Sequence, residues 1–354
     1  MNLLTLLRSG RKHDASDIHL VVGMPPIFRV GGELITSTGE AITKERATAL
    51  AFECLNEEQK RRLERDWQLC FSTTFGERDR ARVTVYYRSG CPELCIRLSE
   101  PVIRTREELQ LPAIVDDIVR RPNGLFLVTG PTGVGKTTTL HYIIDLINTE
   151  SRKKIITIED PIEYTHASKR SLVIQQEVLT DVPSFQQALV HVLRQDPDVI
   201  AIGEMRDRDT MYTAMMAAET GHLVLATLHT PDAVHSIQRI VSAFPEGQQN
   251  EVRFMLANSL QMVVAQQLLP DAQGKRRVLC CEVLVGTQPV RHNIRENTIH
   301  KLYTELQAGR KHGMMMMDQT LLDMYQKGEI TYDTALSVAR DPATIKKNSA
   351  PEIT

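Results

Sequence analysis

The sequence predicts an α/β protein whose parallel sheet carries helices on both faces, preceded by a smaller α+β domain. Short apolar runs that end in polar residues recur after residue 123, which is typical of strands buried on both faces. The first of these runs leads directly into the glycine-rich stretch GPTGVGKT at 130–137. Before residue 100 the strand-like and helical patterns are mixed, so we expect a separate small domain there.

The first 100 residues begin with a helical pattern. Strand-like segments follow at 18–22 and 27–30, and the spacing predicts one helix over 44–65. This mixture indicates a small α+β domain.

A hairpin is expected near the end of this domain. RVTVYY at 82–87 and ELCIRL at 93–98 have strand composition, and Ser89-Gly90 lies between them as a turn. Prolines at 101, 112 and 122 then interrupt a charged stretch. We therefore assign 1–100 to the first domain, 101–122 to a linker and 123–354 to the second domain.

The composition excludes several function classes. The 354-residue chain has 42 Lys and Arg residues against 44 Asp and Glu residues, so no bulk positive field recruits nucleic acid or an anionic membrane. We expect no direct nucleic-acid binding. No apolar run approaches the ~20 residues that span a bilayer, and the start of the chain lacks a signal-peptide pattern, so we expect a cytoplasmic protein.

The cysteines give no sign of a metal site. None of the six shows the paired C-x-x-C spacing of a tetrahedral zinc site, so we expect free thiols and no zinc. They are Cys54, Cys70, Cys91, Cys95, Cys280 and Cys281.

The stretch at 130–137 predicts a phosphate-binding loop. Its glycines permit a turn whose backbone amides point at phosphate oxygens, Lys136 reaches the β and γ phosphates, and the Thr137 hydroxyl can hold Mg²⁺. A strand-like run precedes the loop and a helical pattern follows it, which argues against the alternative of a surface turn. The predicted ATP-binding residues are Gly130, Pro131, Thr132, Gly133, Val134, Gly135, Lys136, Thr137 and Thr138.

Three further apolar runs end in chemically active side chains. The run at 155–158 ends at Glu159-Asp160, the run at 199–202 at Gly203-Glu204, and the run at 223–228 at His229. Because the carboxyl ends of parallel strands meet at one edge of a sheet, these side chains are expected near the phosphate loop.

Two acids have predicted roles there. Glu204 closes DPDVIAIGE as a Walker B acid and can bind Mg²⁺ directly or through water. In EDPIE we favour Glu163 over Glu159 as the residue that orients or deprotonates the attacking water. The alternatives are a strand-end or helix-capping acid for Glu204 and a solvated turn for EDPIE.

Histidines and arginines give weaker signals. His222 and His229 flank the run at 223–228, where a histidine can sense the γ-phosphate or be purely structural. Five arginines lie in or after the predicted hairpin, where they either stabilise charge on the transferred phosphoryl group or form a solvated basic edge. They are Arg80, Arg82, Arg97, Arg104 and Arg106.

Taken together, GPTGVGKTTTL, ITIEDPIEY, LRQDPDVIAIGEMRD and ETGHLVLATLHT resemble the secretion ATPase superfamily, and within it the retraction ATPases of type IV pili. DASDIHL at 14–20 is similar to the N-terminal signature of the family. PVRHNIRENTIHKL at 289–302 is similar to a drifted form of its C-terminal segment. The resemblance spans nearly the whole chain.

The resemblance implies a PAS-like domain followed by a RecA-like P-loop ATPase domain with a C-terminal helical segment. It also implies a homohexameric ring that binds ATP and Mg²⁺ between the two domains. In that family pattern Glu163 is the general base, Glu204 the Walker B acid, and His222 and His229 the histidine box. Arg82 and Arg97 fall where arginines of the family reach across the nucleotide.

We therefore predict an ATP-hydrolysing motor that drives type IV pilus retraction and twitching motility. The resemblance places it at the inner membrane, at the pilus base, with a platform protein and a paralogous retraction ATPase as partners. Which of the two retraction paralogues it matches stays open. The alternatives are a secretion or DNA-transfer motor of the same superfamily, or a nucleotide-gated regulator that hydrolyses ATP poorly.

Overall fold

The computed structural model describes residues 2–75, 79–99 and 102–349, and the chain divides into two compact units. The first consists of Met1–Ile103 with Pro161–Thr165, and the second of Arg104–Asp160 with His166–Thr354. Each unit has its own apolar core.

The first unit is built on a six-stranded antiparallel sheet in the order β3-β2-β1-β6-β5-β4. Leu6 and Leu50 from two of its helices share a core with Ile18 and Ile96 of the central strands. The strands are β1 Ala15–Leu20, β2 Ile27–Val30, β3 Glu33–Thr36, β4 Gln68–Phe75, β5 Asp79–Arg88 and β6 Cys91–Leu98. The helices are α1 Leu3–Lys12, α2 Lys44–Glu53 and α3 Glu57–Asp66.

The expected hairpin is confirmed, and the expected single helix over 44–65 is wrong. β5 and β6 pair directly, and Ser89 and Gly90 form the turn with φ of 50° and 76°. The helix is interrupted because Asn56 begins a new one. Its side chain accepts from the Gln59 backbone N–H, and the Gln59 side chain accepts from the Asn56 backbone N–H. This capping box favours an N-terminus over a continuous helix.

The second unit contains a seven-stranded sheet in the order β13-β12-β7-β11-β10-β8-β9. Every neighbouring pair in this order is parallel except the pair at one edge, where β13 is antiparallel to β12. The strands are β7 Gly124–Thr129, β8 Lys154–Glu159, β9 Leu172–Glu177, β10 Val199–Ile202, β11 Leu223–Leu228, β12 Leu260–Pro270 and β13 Arg277–Val285. The α/β prediction is therefore confirmed.

Helices surround this sheet and continue beyond it toward the carboxyl end. Two short ones, α4 and α5, occupy part of the stretch expected as a linker. Two short 3₁₀ segments flank α12, at Ile299–Lys301 and Gly309–His312. The helices are α4 Arg106–Leu109, α5 Ile114–Val119, α6 Lys136–Glu150, α7 Phe185–Val192, α8 Arg208–Glu219, α9 Ala233–Ser242, α10 Glu246–Ser259, α11 Gln288–Arg295, α12 Leu302–Ala308, α13 Met317–Gln326, α14 Tyr332–Val338 and α15 Pro342–Ser349. Among the described residues, no helix combines the length and the apolar character that crossing a bilayer requires.

The four predicted strands of the second unit are present as β7, β8, β10 and β11, whereas β9, β12 and β13 were missed. β9 is half-buried and contains Gln175 and Gln176, so it lacks the continuous apolar run of its neighbours. α10 ends at Ser259 and β12 begins at the next residue, Leu260, so no turn residue separates the helix from the strand. The sequence pattern therefore does not show the boundary.

Candidate active site

The phosphate loop joins β7 to α6 and has the backbone that its glycines predict. Gly130, Gly133 and Gly135 all have positive φ, at 142°, 81° and 90°. A Cβ at Gly130 would lie 2.5 Å from the Gln266 carbonyl oxygen, so this position requires glycine for space as well as conformation. α6 starts at Lys136 without a side-chain cap, which leaves the backbone N–H groups of its first turn for an anion.

The Lys136 ammonium lies folded over this loop. Its Nζ donates to the carbonyl oxygens of Gly130 at 2.9 Å and of Pro131 at 2.8 Å. Burial lowers the pKa of Lys136, and the nearby charge of Glu204 opposes that shift. The loop thus holds a desolvated cation where phosphate oxygens would bind.

His229 connects the loop to the neighbouring strand ends. Its Nδ1 lies 3.3 Å from Lys136 Nζ and 3.5 Å from the Thr132 hydroxyl, and its Nε2 lies 3.2 Å from Glu204 Oε1. Because an ammonium can only donate, Nδ1 is assigned as the acceptor and Nε2 as the protonated nitrogen that faces the carboxylate. β7, β11 and β10 are adjacent in the sheet, and their parallel register brings these side chains to one edge.

Glu204 is an ionised carboxylate at this edge. Burial alone would raise its pKa, but the hydrogen bond and charge of Arg206, with His229 and Lys136, hold the pKa below its usual value. Arg206 donates to Glu204 Oε2 at 2.8 Å. Arg206 was not predicted from the sequence, although it lies only two residues after Glu204.

His222 does not belong to this edge. It directly precedes β11, whereas His229 directly follows it, so about 20 Å of strand separates them. His222 Nδ1 contacts the Ala217 carbonyl oxygen at 3.0 Å, and its own carbonyl accepts from the Gly124 N–H at the start of β7. Of the two predicted histidines, His229 therefore lies at the edge that carries Lys136 and Glu204, and His222 lies at the opposite end of β11.

The two acids of EDPIE have different environments. Glu159 ends β8 and is buried, and it accepts from Thr157 Oγ1 at 2.6 Å and from Gln175 Nε2 at 2.9 Å. Glu163 is half-buried in the Pro161–Thr165 segment, which groups with the first unit. Glu159 is therefore engaged in the sheet of the second unit, and Glu163 lies outside that unit.

Arg82 and Arg97 lie side by side in the first unit. They are paired across β5 and β6, and both are exposed. Arg97 Nε donates to Asp17 Oδ1 at 2.9 Å, and Arg82 Nε lies 3.1 Å from Cys70 Sγ. Since β5 and β6 are interior strands, these two arginines do not form a basic sheet edge.

The remaining predicted residues lie where the motif requires. Thr137 and Thr138 are half-buried in the first turn of α6, and Val134 is buried beneath the loop. The cysteines of the described residues are free thiols.

Comparison with known proteins agrees with this geometry. The family model for type II/IV secretion system proteins matches residues 11–350. The type IV pilus retraction ATPase PilT of Pseudomonas aeruginosa is 38% identical over 342 residues, which cover 97% of this chain and 99% of that protein. The type IV pilus ATPase PilU of the same organism is also 38% identical, over 96% of this chain and 89% of that protein.

A solved structure gives the same relationship in three dimensions. The crystal structure of the pilus retraction motor PilT with bound ADP matches with a TM-score of 0.92 and 40% identity, covering 98% of this chain and 99% of that one. The equal identities to PilT and PilU do not separate the two paralogues. The chain belongs to the type II/IV secretion system protein family and, within it, to the PilT/PilU type of pilus retraction ATPase.

Proposed function

We propose that this chain hydrolyses ATP and uses the energy to drive retraction of a type IV pilus. The observation that carries the proposal is the continuous chain of contacts from the phosphate loop through Lys136 and His229 to Glu204. It occurs in a protein that is 38% identical to a retraction ATPase over nearly its full length.

The loop residues 130–138 would hold the phosphates of ATP, with Lys136 on the β and γ phosphates and His229 as the contact that senses the γ-phosphate. The Thr137 hydroxyl and the ionised Glu204 carboxylate are oxygen donors, which Mg²⁺ prefers. When bound, Mg²⁺ would neutralise phosphate charge. Glu163 is proposed as the general base on the family pattern.

Arg82 and Arg97 are proposed to stabilise charge on the γ-phosphate during transfer. Their side chains are exposed and lie on paired positions of β5 and β6, and the planar fork of a guanidinium group matches phosphate oxygens. Replacing either with Ala should lower turnover far more than nucleotide affinity, and Lys should rescue poorly because it lacks the fork.

Arg29 offers a matched control for those variants. It lies on β2, on the other side of β1 from Arg97, with Nε 3.9 Å from Asp17, the residue that also accepts from Arg97. Arg29→Ala should retain parental turnover. Parental turnover in the Ala and Lys variants of both Arg82 and Arg97 would show that these arginines are only a solvated polar face.

We further propose a ring of six copies in the cytoplasm, at the inner-membrane base of the pilus. A membrane platform protein and a paralogous retraction ATPase would be its partners. Mass measurement in solution with nucleotide should give six chains, and a monomer with full activity would contradict the ring.

Gene deletion with imaging of pili tests the proposed function in the cell. Loss of a retraction motor should leave excess pili and no twitching. A secretion or DNA-transfer motor would instead leave retraction intact and block export or transfer. A nucleotide-gated regulator would bind ATP without steady-state phosphate release, which an assay on the purified protein detects.

A further inference from the structure

A second histidine–glutamate contact lies inside the same unit, beneath the active-site edge. His141 is on α6, five residues after Lys136, and its Nε2 lies 3.3 Å from Glu159 Oε2. Both side chains are almost completely buried. This charged contact is therefore shielded from water, where a carboxylate needs partners to stay ionised.

His166 continues the contact on the far side of His141. His166 Nε2 lies 2.8 Å from His141 Nδ1, and the two rings stack with centroids 5.1 Å apart. His166 Nδ1 faces Asp145 at 4.0 Å, which is beyond hydrogen-bond range, and Asp145 pairs with Lys169 at 2.8 Å. The network therefore runs from His166 through His141 to Glu159, and Asp145 lies just outside it.

The proton positions follow from the charge at the inner end. Glu159 is ionised: burial opposes its charge, but the charge and hydrogen bond of His141, with Thr157 and Gln175, hold its pKa below the usual value. A charged His141 ring carries a proton on both nitrogens, so Nε2 directs one toward Glu159 and Nδ1 donates the other to His166 Nε2. The Glu159 carboxylate is thus held in place by the His141 side chain of α6.

Glu159 also touches the segment that carries Glu204. The Gly203 N–H donates to the Ile158 carbonyl at 2.8 Å. A Cβ at Gly203 would lie 3.3 Å from that carbonyl oxygen and 3.5 Å from Glu159 Cα, so the two backbones are in close contact. Any shift of the end of β8 is therefore passed to the residue that precedes Glu204.

We propose that His141 is a positioning residue for ATP hydrolysis, which ties the end of β8 at Glu159, and through it Glu204, to the helix that carries Lys136 and Thr137. This inference rests on the proposed catalytic roles of Lys136 and Glu204. The buried contact joins α6 to the end of β8. It thereby holds the Lys136 ammonium and the Glu204 carboxylate at a fixed distance from each other.

The test uses the two amides that imitate the two ring nitrogens. In His141→Gln the side-chain amide can reach Glu159 as Nε2 does, whereas in His141→Asn the amide can reach only the His166 side, as Nδ1 does. In the full-length protein, kcat should fall about tenfold in His141→Asn with KM unchanged, and should stay within about threefold of the parent in His141→Gln.

Two further variants separate positioning from folding. Asp145→Asn removes a charge just outside the network and should keep parental kcat. In a Glu159→Met background, His141→Asn should cause no additional loss of kcat, because Met offers no oxygen to His141 Nε2 and the contact is already broken. The melting temperature of every variant is measured first, so that kcat is compared at a temperature at which each variant is folded.

The outcomes are distinct. Equal kcat in His141→Asn and the parent, equal losses in the Asn and Gln variants, or additive losses with Glu159→Met would each overturn the positioning role. A parent protein without ATP hydrolysis would instead overturn the proposed function, and the His141 comparison would then have no rate to change.

Discussion

Two histidine–glutamate contacts of nearly equal length lie in the second unit, and they differ in access to water. His229 and Glu204 are 3.2 Å apart with side chains that are 42% and 21% exposed. His141 and Glu159 are 3.3 Å apart with side chains that are 1% and 6% exposed. The exposed contact can exchange partners when a ligand arrives, whereas breaking the buried one leaves a charge without solvent.

Their other partners reinforce this difference. The exposed contact is flanked by the cations Lys136 and Arg206, which are the groups that an anionic ligand would recruit. The buried contact is flanked by neutral donors, Thr157 and Gln175. A histidine–glutamate pair can therefore take part in ligand binding when it is exposed, and it can hold two structural elements in place when it is buried.

The largest expected effect comes from removing the cation at the exposed contact. Lys136→Met keeps the apolar stem and deletes the ammonium, so turnover should fall about a thousandfold while the protein stays folded. Steady-state phosphate release measures the rate, and Lys60→Ala on the surface of α3 is the control. Undiminished turnover in Lys136→Met would contradict the assignment of the phosphate loop.

Replacing the exposed acid should have the next largest effect. Glu204→Gln should lower kcat about a hundredfold, the scale of one positioned catalytic group, with nucleotide binding retained. Glu163→Gln should behave in the same way if Glu163 is the base. Parental turnover in Glu163→Gln would move the base role to Glu159, and the buried contact would then be chemical rather than positional.

The two histidines that flank β11 give a smaller, internally controlled effect. His229→Ala should lower kcat about tenfold because it contacts both Lys136 and Glu204, whereas His222→Ala should change it less than twofold. Both are measured in the same phosphate-release assay. Comparable losses would show that His222 reaches a nucleotide through a contact outside its own unit.

The sequence predicted that the residues of the exposed contact lie near one another, because they are contiguous or end successive apolar strands. Lys136 and Thr137 are fixed by the loop motif, and Glu204 and His229 follow buried runs that parallel register brings together. Which of the two histidines acts on a nucleotide stays a prediction, because the motif covers both ends of β11.

The buried contact could not be predicted in this way. His141 lies on the helix after the loop, among residues whose spacing indicated only a core-facing helix, and His166 lies in a loop with no motif of its own. Their meeting depends on where α6 lies relative to the end of β8 and on the path of the chain after Glu159. The pairing of Arg97 with Asp17 has the same origin, since it requires the register of β1 against β6.

The smallest effect concerns stability and belongs to the buried contact alone. Burial, with the charge of His141, lowers the pKa of His166 from 6.5 to about 4. Between these values the unfolded chain binds a proton that the folded chain does not, so the free energy of unfolding should fall as the pH is lowered through that window. The ionised Glu159 contributes in the same direction at still lower pH, because its pKa is also depressed in the fold.

His166→Gln isolates this contribution. The Gln side-chain oxygen can still accept from His141 Nδ1, so the contact with Glu159 is preserved and the titrating ring is gone. Between about pH 7 and pH 5 the parent should lose about 2 kcal/mol more stability than His166→Gln, as measured by urea unfolding at both values. Equal losses would mean that His166 takes up its proton without unfolding, and the buried network would then be as open to solvent as the contact between His229 and Glu204.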